Sequence, residues 1–332
     1  MDELINTASY SGLTRPSRDK VPLAASVHIP YSIHRILPQS IISWLRKLRA
    51  MMLLRTFSRD AIFAQSMEDA IASSSMSIVV PIHDAPVVTR RCLLSLERYA
   101  PKAEIVLVND GSKLVETADM IQDFVDRNHW KLVDHEKPLG HSRASEAGAD
   151  LATRPYLCLL NSDTVVTPWC WRLVKEAFEL DERIAVAGPS TSNTGIANFQ
   201  TLPIAVYLCQ YLNDNQICDL AGRLIAKCAD PLVSDLTFVC GFAFFMKLSL
   251  WKKFEGFDRN LPDYGNEDEL GKRVLAEGYR MVWVRNAYIH HFGSQSFREV
   301  IGDEAIAARI NAALAYIRDK PRSSNLLGQR AE

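Results

Sequence analysis

The sequence predicts an α/β fold with a mostly parallel central sheet flanked by helices, and three observations lead to it. Short apolar runs such as Ser77–Pro81 and Tyr156–Leu160 alternate with segments of helical pattern. The runs are apolar almost throughout, as in strands that are covered on both faces. Polar residues directly follow three of these runs, and ligands of such sheets bind beyond the carboxyl ends of the strands. One functional site at that edge of the sheet is therefore expected.

The predicted elements between residues 77 and 160 alternate in type. In chain order they are strand Ser77–Pro81, helix Val87–Tyr99, a strand from Glu104, helix Val115–Asn128, a strand near Trp130–Asp134, helix Ser142–Ala152 and strand Tyr156–Leu160. Farther along, Thr237–Phe245 reads as a buried strand interrupted by Gly241, and Tyr279–Ile289 as a strand-rich segment. A glycine inside a strand marks a bulge or a place where backbone approaches a ligand closely, and both interpretations stay open for Gly241.

Composition excludes several classes of protein. The 332 residues include 38 Lys and Arg and 39 Asp and Glu. The net charge of the chain therefore does not favour binding of nucleic acid. No apolar stretch approaches the ~20 residues of a transmembrane helix, and the first twenty residues lack the apolar core of a signal peptide. Seven cysteines without a C-x-x-C pair argue against a disulfide framework. We expect a cytoplasmic protein that binds no nucleic acid.

Positive charge is concentrated at the N-terminus. Residues 1–60 hold nine Lys and Arg against four Asp and Glu. Residues 41–57 begin with apolar side chains at helical spacing beside Arg46, Lys47 and Arg49. Such a helix either packs on the main domain or makes peripheral contact with the anionic inner face of a membrane. The predicted organisation is a basic arm at 1–75, a catalytic domain at 76–300 and a tail at 301–332 with a helix at Asp303–Arg318.

Three predicted strands end in acidic clusters. The first is followed by His83-Asp84, the second by Asp110, and the strand Tyr156–Leu160 by Asn161-Ser162-Asp163. Carboxylates held close together repel one another unless a cation or a donor-rich ligand relieves them. Each residue alone could instead cap a helix or form an Asx-turn, and for Asp84 we expect such a cap. For Asp110 and Asp163 together the sequence favours a functional site.

Residues 76–300 resemble the inverting family 2 glycosyltransferases, which have the nucleotide-sugar-binding fold called GT-A. The matching segments, in order, are Val79–Pro81, Val108–Ser112, Leu139–Gly148, Leu159–Asp163, Gly256–Asp258, Glu267–Leu270 with Arg273 and Gly278-Tyr279, and His291–Ser294. The segment Leu159–Thr164 is similar to the rhamnosyltransferase-like branch. The resemblance implies metal-dependent transfer of a sugar from a nucleoside diphosphate sugar to a glycan or glycolipid acceptor in surface polysaccharide biosynthesis.

The same resemblance assigns a nucleotide site. Pro81 and His83 would flank the base, and Asp110 would bond the pyrimidine of a UDP- or dTDP-sugar. The loop from Gly140 to Arg143 would pass beside the base and the phosphates. Asn161 would bond a ribose hydroxyl, with Ser162 next to it. His83 stands where the family usually has Tyr, and its smaller ring offers less stacking area.

Asp163 and His291 are the implied metal ligands. Asn161-Ser162-Asp163 matches the family's D-x-D motif except for Asn at its first position. The implied metal is Mn²⁺ or Mg²⁺, because carboxylate oxygen suits both ions and a His nitrogen favours Mn²⁺. The neighbouring His290 is the rival of His291 for this role.

Asp268 is the implied general base that takes the proton of the acceptor hydroxyl. Glu267 would orient the acceptor or Asp268 itself. Without the resemblance, we would interpret Asn266, Glu267 and Asp268 as the cap and first turn of the helix that follows. A single displacement at the anomeric carbon would invert its configuration.

Two other functions compete with sugar transfer. A nucleotidyltransferase on a related fold would need a glycine-rich, basic triphosphate loop, and the residues from Pro81 to Ala85 contain neither Gly nor Lys. A non-catalytic protein that binds nucleotide sugars as a scaffold would not need Asp163, Asp268 and His291 together.

Overall fold

The computed structural model describes residues 67–194, 200–202, 230–261, 263–293 and 295–320, with side chains of the last segment described from 304 onward at most positions. It also places Ser40, Ile41, Trp44, Leu45 and Leu48 in helical conformation. The chain separates into two units, residues 1–48 and 49–332. In the second unit the predicted boundary at residue 300 falls within a helix.

Nine strands and eight helices build the described part of residues 67–320. The strands are β1 (Met76–Ile82), β2 (Glu104–Asp110), β3 (Lys131–His135), β4 (Tyr156–Leu160), β5 (Thr164–Val166), β6 (Ile184–Ser190), β7 (Val233–Leu236), β8 (Ala243–Lys247) and β9 (Arg280–His291). The helices are α1 (67–73), α2 (Pro86–Tyr99), α3 (Val115–Asn128), α4 (His141–Ala149), α5 (Cys170–Leu180), α6 (Leu248–Lys253), α7 (Asn266–Ala276) and α8 (Gln295–Asp319).

The strands form one sheet in the order β3-β2-β1-β4-β8-β6-β9-β5, with β7 paired to β9. The first four strands are parallel, as predicted. Beyond β4 the sheet is mixed, because β8 runs antiparallel to both β4 and β6. The α/β fold with a flanked central sheet is confirmed, and its parallel order is limited to the β3-to-β4 half and the β6–β9 pair.

Two apolar layers cover the two faces of the sheet, and β1 shows how the sequence divides between them. Ile78, Val80 and Ile82 face the layer that contains α2, α3 and α5, while Val79 faces the layer of α4 and α7. All four are fully buried. Successive strand side chains point to opposite faces, so an unbroken apolar run is what a strand buried on both sides requires.

Three predicted elements differ from the structure. Thr237–Gly241 does not form a strand, since β8 begins at Ala243. The helix α7 begins at Asn266, so Glu267 and Asp268 lie in its first turn instead of before it. The C-terminal helix begins at Gln295, eight residues earlier than predicted. Most of the region between 195 and 229, and much of 41–57, lies outside the described residues, and none of the described helices has the length and apolar composition that crossing a bilayer requires.

Candidate functional site

The carboxyl ends of the adjacent strands β1 and β2 meet as expected. Pro81 is buried within β1, opposite Val108, and His83 follows at the end of the strand. The His83 Nδ1–H donates to the carbonyl of Asp110 at 2.8 Å. Asp84 accepts hydrogen bonds from the backbone N–H groups of Lys113 and Leu114 at 2.9 Å each, so its carboxylate fixes the loop that leads into α3.

The Asp110 carboxylate organises the loop between β3 and α4. Its oxygens accept from the N–H groups of Leu139 at 2.8 Å and Gly140 at 3.0 Å. The ring of His135 lies 2.9 Å from the same carboxylate. Asp110 therefore holds the start of α4 against the end of β2, which is the wall that a nucleotide would contact.

His141, the first residue of α4, is the site residue that the sequence analysis missed. Its neighbours are fixed on both sides, because Gly140 is bound to Asp110 and the Ser142 hydroxyl donates to the carbonyl of Leu261. Burial lowers the pKa of the His141 imidazole, although the carboxylates of Asp263, Asp110 and Asp163 oppose this shift. The charges of carboxylates on three different segments thus act on His141, whereas Arg143 is exposed to solvent.

Asp163 and His291 form a buried pair. The antiparallel pairing of β5 with β9 places Thr164 opposite His291, which brings His291 beside Asp163. His291 Nε2 lies 3.3 Å from Asp163 Oδ1, and both side chains are 4% exposed. The ring of His291 stacks on Phe242 at 5.3 Å between centroids. Asn161 and the buried Ser162 lead directly into this pair.

The hydrogen bonds of His291 suit a cation ligand. His291 Nδ1–H donates to the carbonyl of Asn193 at 2.8 Å, so a neutral ring presents a bare Nε2 to Asp163. That nitrogen is buried without a hydrogen-bond partner. Burial acts to lower the pKa of His291, but the Asp163 carboxylate and the Asn193 carbonyl together raise it. The bare Nε2 and the Asp163 carboxylate are both acceptors and face each other, so a positive charge between them is favourable. A proton or a divalent cation would supply that charge.

His290 points away from this pair. Successive residues of β9 face opposite sides, and His290 Nδ1 lies 3.0 Å from the Tyr288 hydroxyl and 3.2 Å from the Ser192 hydroxyl. In the described residues no group of three or more His, Cys, Asp or Glu side chains comes together as a metal site. Asp163 and His291 would therefore share a cation with oxygens of a bound substrate, as Mg²⁺ and Mn²⁺ commonly do.

The segment Cys240–Phe242 joins the buried pair to Glu267 and Asp268. Phe242 stacks on His291, and its carbonyl accepts from the N–H of Asn161 at 3.0 Å. A β-carbon at Gly241 would lie only 1.8 Å from Glu267 Oε1, so the carboxylate of Glu267 occupies the space above this glycine. Two residues of chain span at most about 7 Å, so the Asp163–His291 pair and the Glu267 carboxylate lie in one small region of the protein.

Gln200 fixes the position of this segment. Its side chain is fully buried, its Nε2 donates to the carbonyl of Pro189 at 2.8 Å, and its Oε1 accepts from the N–H of Cys240 at 2.6 Å. Gly241 lies before β8, so it is not a bulge within a strand. The absence of a side chain at Gly241 leaves room for the Glu267 carboxylate.

The two acids of α7 have raised pKa values. Burial, supported by the charge of Asp268, raises the pKa of Glu267 to about 7. Burial also raises the pKa of Asp268, and Lys272 opposes this shift. Perturbed carboxylates of this kind are typical of groups that exchange protons near neutral pH.

Comparison with curated proteins finds relatives whose names refer to polysaccharide synthesis and O-antigen biosynthesis. A poly-beta-1,6-N-acetyl-D-glucosamine synthase of Staphylococcus epidermidis is 31% identical over 123 residues, which are 37% of this chain and 28% of that protein. An O-antigen biosynthesis protein, RfbC of Myxococcus xanthus, is 28% identical over 244 residues, which are 67% of this chain and 18% of that protein. The chain thus spans less than a third of the length of either relative.

Comparison with solved structures identifies the fold. A crystal structure of GalNAc-T7 with UDP, GalNAc and Mn²⁺ matches 65% of this chain and 43% of that chain, with a TM-score of 0.51 and 15% sequence identity. This likeness supports the GT-A fold. Residues 77–246 match the model of the family described as glycosyl transferase family 2, which covers β1 to β8 and includes Asp110, Asp163 and Gly241. The chain belongs to glycosyl transferase family 2.

Proposed function

We propose that the protein transfers a sugar from a nucleoside diphosphate donor to a glycan or glycolipid acceptor, with inversion at the anomeric carbon and with dependence on a divalent metal. One observation carries this proposal. His291 stacks on Phe242 and the Glu267 carboxylate lies against neighbouring Gly241, so the Asp163–His291 pair and the Glu267–Asp268 pair contact the same short segment, which supports a donor end and an acceptor end of one reaction.

The donor end supports binding of a nucleotide. The base would lie beside His83 and the loop that Asp110 holds, with Asn161 and Ser162 toward the ribose. The diphosphate would lie near the start of α4, because helix N-termini favour phosphate and Asp110 holds this end of the helix beside β2. Asp163 and His291 would hold Mn²⁺ or Mg²⁺, which neutralises the charge that develops on the leaving diphosphate.

The acceptor end supports removal of a proton. Asp268 would accept the proton of the attacking hydroxyl, and Glu267 beside it would bond and orient that hydroxyl or its neighbour. Attack from the side opposite to the leaving group inverts the configuration. Burial raises the pKa of Asp268, and a raised pKa makes a carboxylate a better proton acceptor.

The names of the relatives support an acceptor that belongs to a surface polysaccharide or its lipid-linked precursor. The donor is proposed as a hexose or deoxyhexose on UDP or dTDP. A nucleotidyltransferase would need a glycine-rich, basic triphosphate loop after β1, and the residues from Pro81 to Ala85 contain neither Gly nor Lys. A scaffold would leave the perturbed Glu267 and Asp268 without a role.

The basic N-terminal helix supports peripheral contact with an anionic membrane, where lipid-linked acceptors lie. Ile41 and Trp44 are 42% and 60% exposed, and Arg46, Lys47 and Arg49 lie beside them in sequence. Flotation of the full chain with vesicles that contain anionic lipid tests this contact. We expect the triple variant Arg46→Glu, Lys47→Glu, Arg49→Glu to lose flotation, and unchanged flotation of this variant would contradict it.

The central test is a panel of UDP- and dTDP-sugars, each with Mn²⁺, with Mg²⁺ and with a chelator. A matching donor at about 100 times its dissociation constant should stabilise the protein by ~2.7 kcal/mol, and the chelator should remove that stabilisation. With an acceptor present, the same donor should release nucleoside diphosphate. Absence of both stabilisation and release for every donor would refute sugar transfer.

A further inference from the structure

The C-terminal helix α8 packs along the segment that leads into Glu267 and Asp268. Its contact residues share one face of the helix, since they recur at helical spacing. They are Arg309, Ala313, Tyr316 and Ile317, and Lys320, which directly follows the last residue of the helix, adds a further contact. The first of them pairs with Asp263 at 2.5 Å.

Apolar side chains of α8 contact the backbone at Gly265, two residues before Glu267. Gly265 precedes α7 with a φ of 81°, a conformation that favours glycine. A β-carbon at Gly265 would lie 2.8 Å from Ile317 Cδ1 and 3.1 Å from Ala313 Cβ. The backbone that positions Glu267 and Asp268 therefore rests on α8 without room for a side chain.

The ammonium group of Lys320 connects a residue before Glu267 and Asp268 in the chain with a residue after them. Its Nζ lies 2.5 Å from Glu269 Oε1 and 2.7 Å from Asp258 Oδ2. The Glu269 side chain is 4% exposed and also receives two hydrogen bonds from Arg273. The Tyr316 hydroxyl donates to Asp258 at 2.8 Å and accepts from the side-chain amide of Asn260. Contacts of α8 thus hold the chain both before and after Glu267 and Asp268.

We propose that Lys320 is a positioning residue for the reaction: by joining Asp258 to Glu269 it fixes the first turn of α7, so the C-terminal end of α8 sets the position of Glu267 and Asp268. This inference rests on the proposed function. A displacement of about 1 Å of a catalytic group can lower a rate 100-fold, so a contact outside the site can control turnover. The nucleotide end of the site has no described contact with Lys320.

The test uses the full chain and three variants at the end of α8. Lys320→Met removes the charge and keeps the length of the side chain, Lys320→Arg restores a cation, and Arg318→Ala is the control. Arg318 is 75% exposed and pairs only with Asp319 among the described residues. For each protein, hydrogen exchange of the amides of α7 and α2, the affinity for donor nucleotide with Mn²⁺, and kcat for transfer are measured.

We expect Lys320→Met to speed exchange in the first turn of α7 and not in α2, to lower kcat about 10-fold or more, and to leave nucleotide affinity unchanged. Lys320→Arg should recover most of the loss, and Arg318→Ala should behave as wild type. Unchanged exchange in α7, or a loss of kcat that nucleotide affinity shares, would overturn the inference. A wild-type protein that transfers no sugar would instead refute the proposed function, while the exchange data would still decide whether Lys320 fixes α7.

Discussion

The Asp163–His291 pair and the Glu267–Asp268 pair are held in different ways. The first pair is fixed by strand pairing between β5 and β9, by the stacked ring of Phe242 and by the carbonyl of Asn193. The second lies in the first turn of α7, where the Glu267 carboxylate fills the space above Gly241, and the position of this turn depends on contacts with α8 and Lys320. The pair proposed for the donor end is thus held by strand pairing, and the pair proposed for the acceptor end by contacts between a helix and its neighbours.

Among the variants proposed here, Asp268→Asn should show the largest difference between the effects on kcat and on nucleotide affinity. Loss of the general base is expected to lower kcat by about 10²–10⁴-fold, while nucleotide affinity stays that of wild type because the donor end is untouched. Release of nucleoside diphosphate gives the rate, and calorimetric titration gives the affinity. A larger loss in Glu267→Gln than in Asp268→Asn would exchange the roles of the two acids.

His291→Ala should abolish the stabilisation by Mn²⁺ together with nucleotide, and lower kcat about 100-fold or more. His290→Ala is the matched control, because His290 is equally buried on the opposite face of β9. This control is expected to lower stability and to retain the metal-dependent shift. Thermal melts with Mn²⁺ or with a chelator distinguish the two variants, and loss of the shift in His290→Ala alone would reverse the assignment.

Gly241→Ala should disturb the position of Glu267 without affecting the nucleotide site. The added methyl group would displace the Glu267 carboxylate, and we expect kcat to fall about 10- to 100-fold with nucleotide affinity unchanged. Gly271→Ala within α7 is the control, since its β-carbon would meet only the flexible side chain of Met281 at 3.1 Å. Equal kinetics for both variants would show that the Gly241 contact does not matter.

Glu267→Gln should change how stability depends on pH. The pKa of Glu267 is about 7 in the folded protein against an ordinary 4.5, so ionisation of this group destabilises the fold as pH rises from 4.5 to above 7. The variant lacks this loss, and its free energy of unfolding relative to wild type should rise between pH 5 and pH 8 by up to about 3 kcal/mol. Urea denaturation at both pH values measures the change, which a constant difference would contradict.

The parts of the fold that local pattern determines were predictable. Helix α3 and strand β4 have the predicted bounds, because apolar periodicity and strand length fix them. The antiparallel insertion of β8 beside β4 was not predictable, since the order of strands in space depends on long-range pairing. Thr237–Gly241 was wrong as a strand because Gln200, far away in sequence, binds its backbone instead.

Within the site, residue type and position after a strand identified Asp110 and Asp163 as candidates. His141 was missed because an isolated histidine after a glycine carries no pattern, and only the folded chain brings it near three carboxylates. The roles of Asp163, Asp268 and His291 came from resemblance to a family and stay predictions until variants are measured. The contacts of Lys320 connect residues more than 50 positions apart, which no local signal reports.

The buried amide of Gln200 has a consequence for how this enzyme class can diversify. It links the end of β6 to the backbone between the two pairs, and it belongs to the stretch that separates β6 from β7. Exchange of that stretch for a sequence without this glutamine would therefore release the backbone N–H of Cys240, so a chimaera that replaces the stretch has to retain Gln200 if the segment that contacts both pairs is to stay in place.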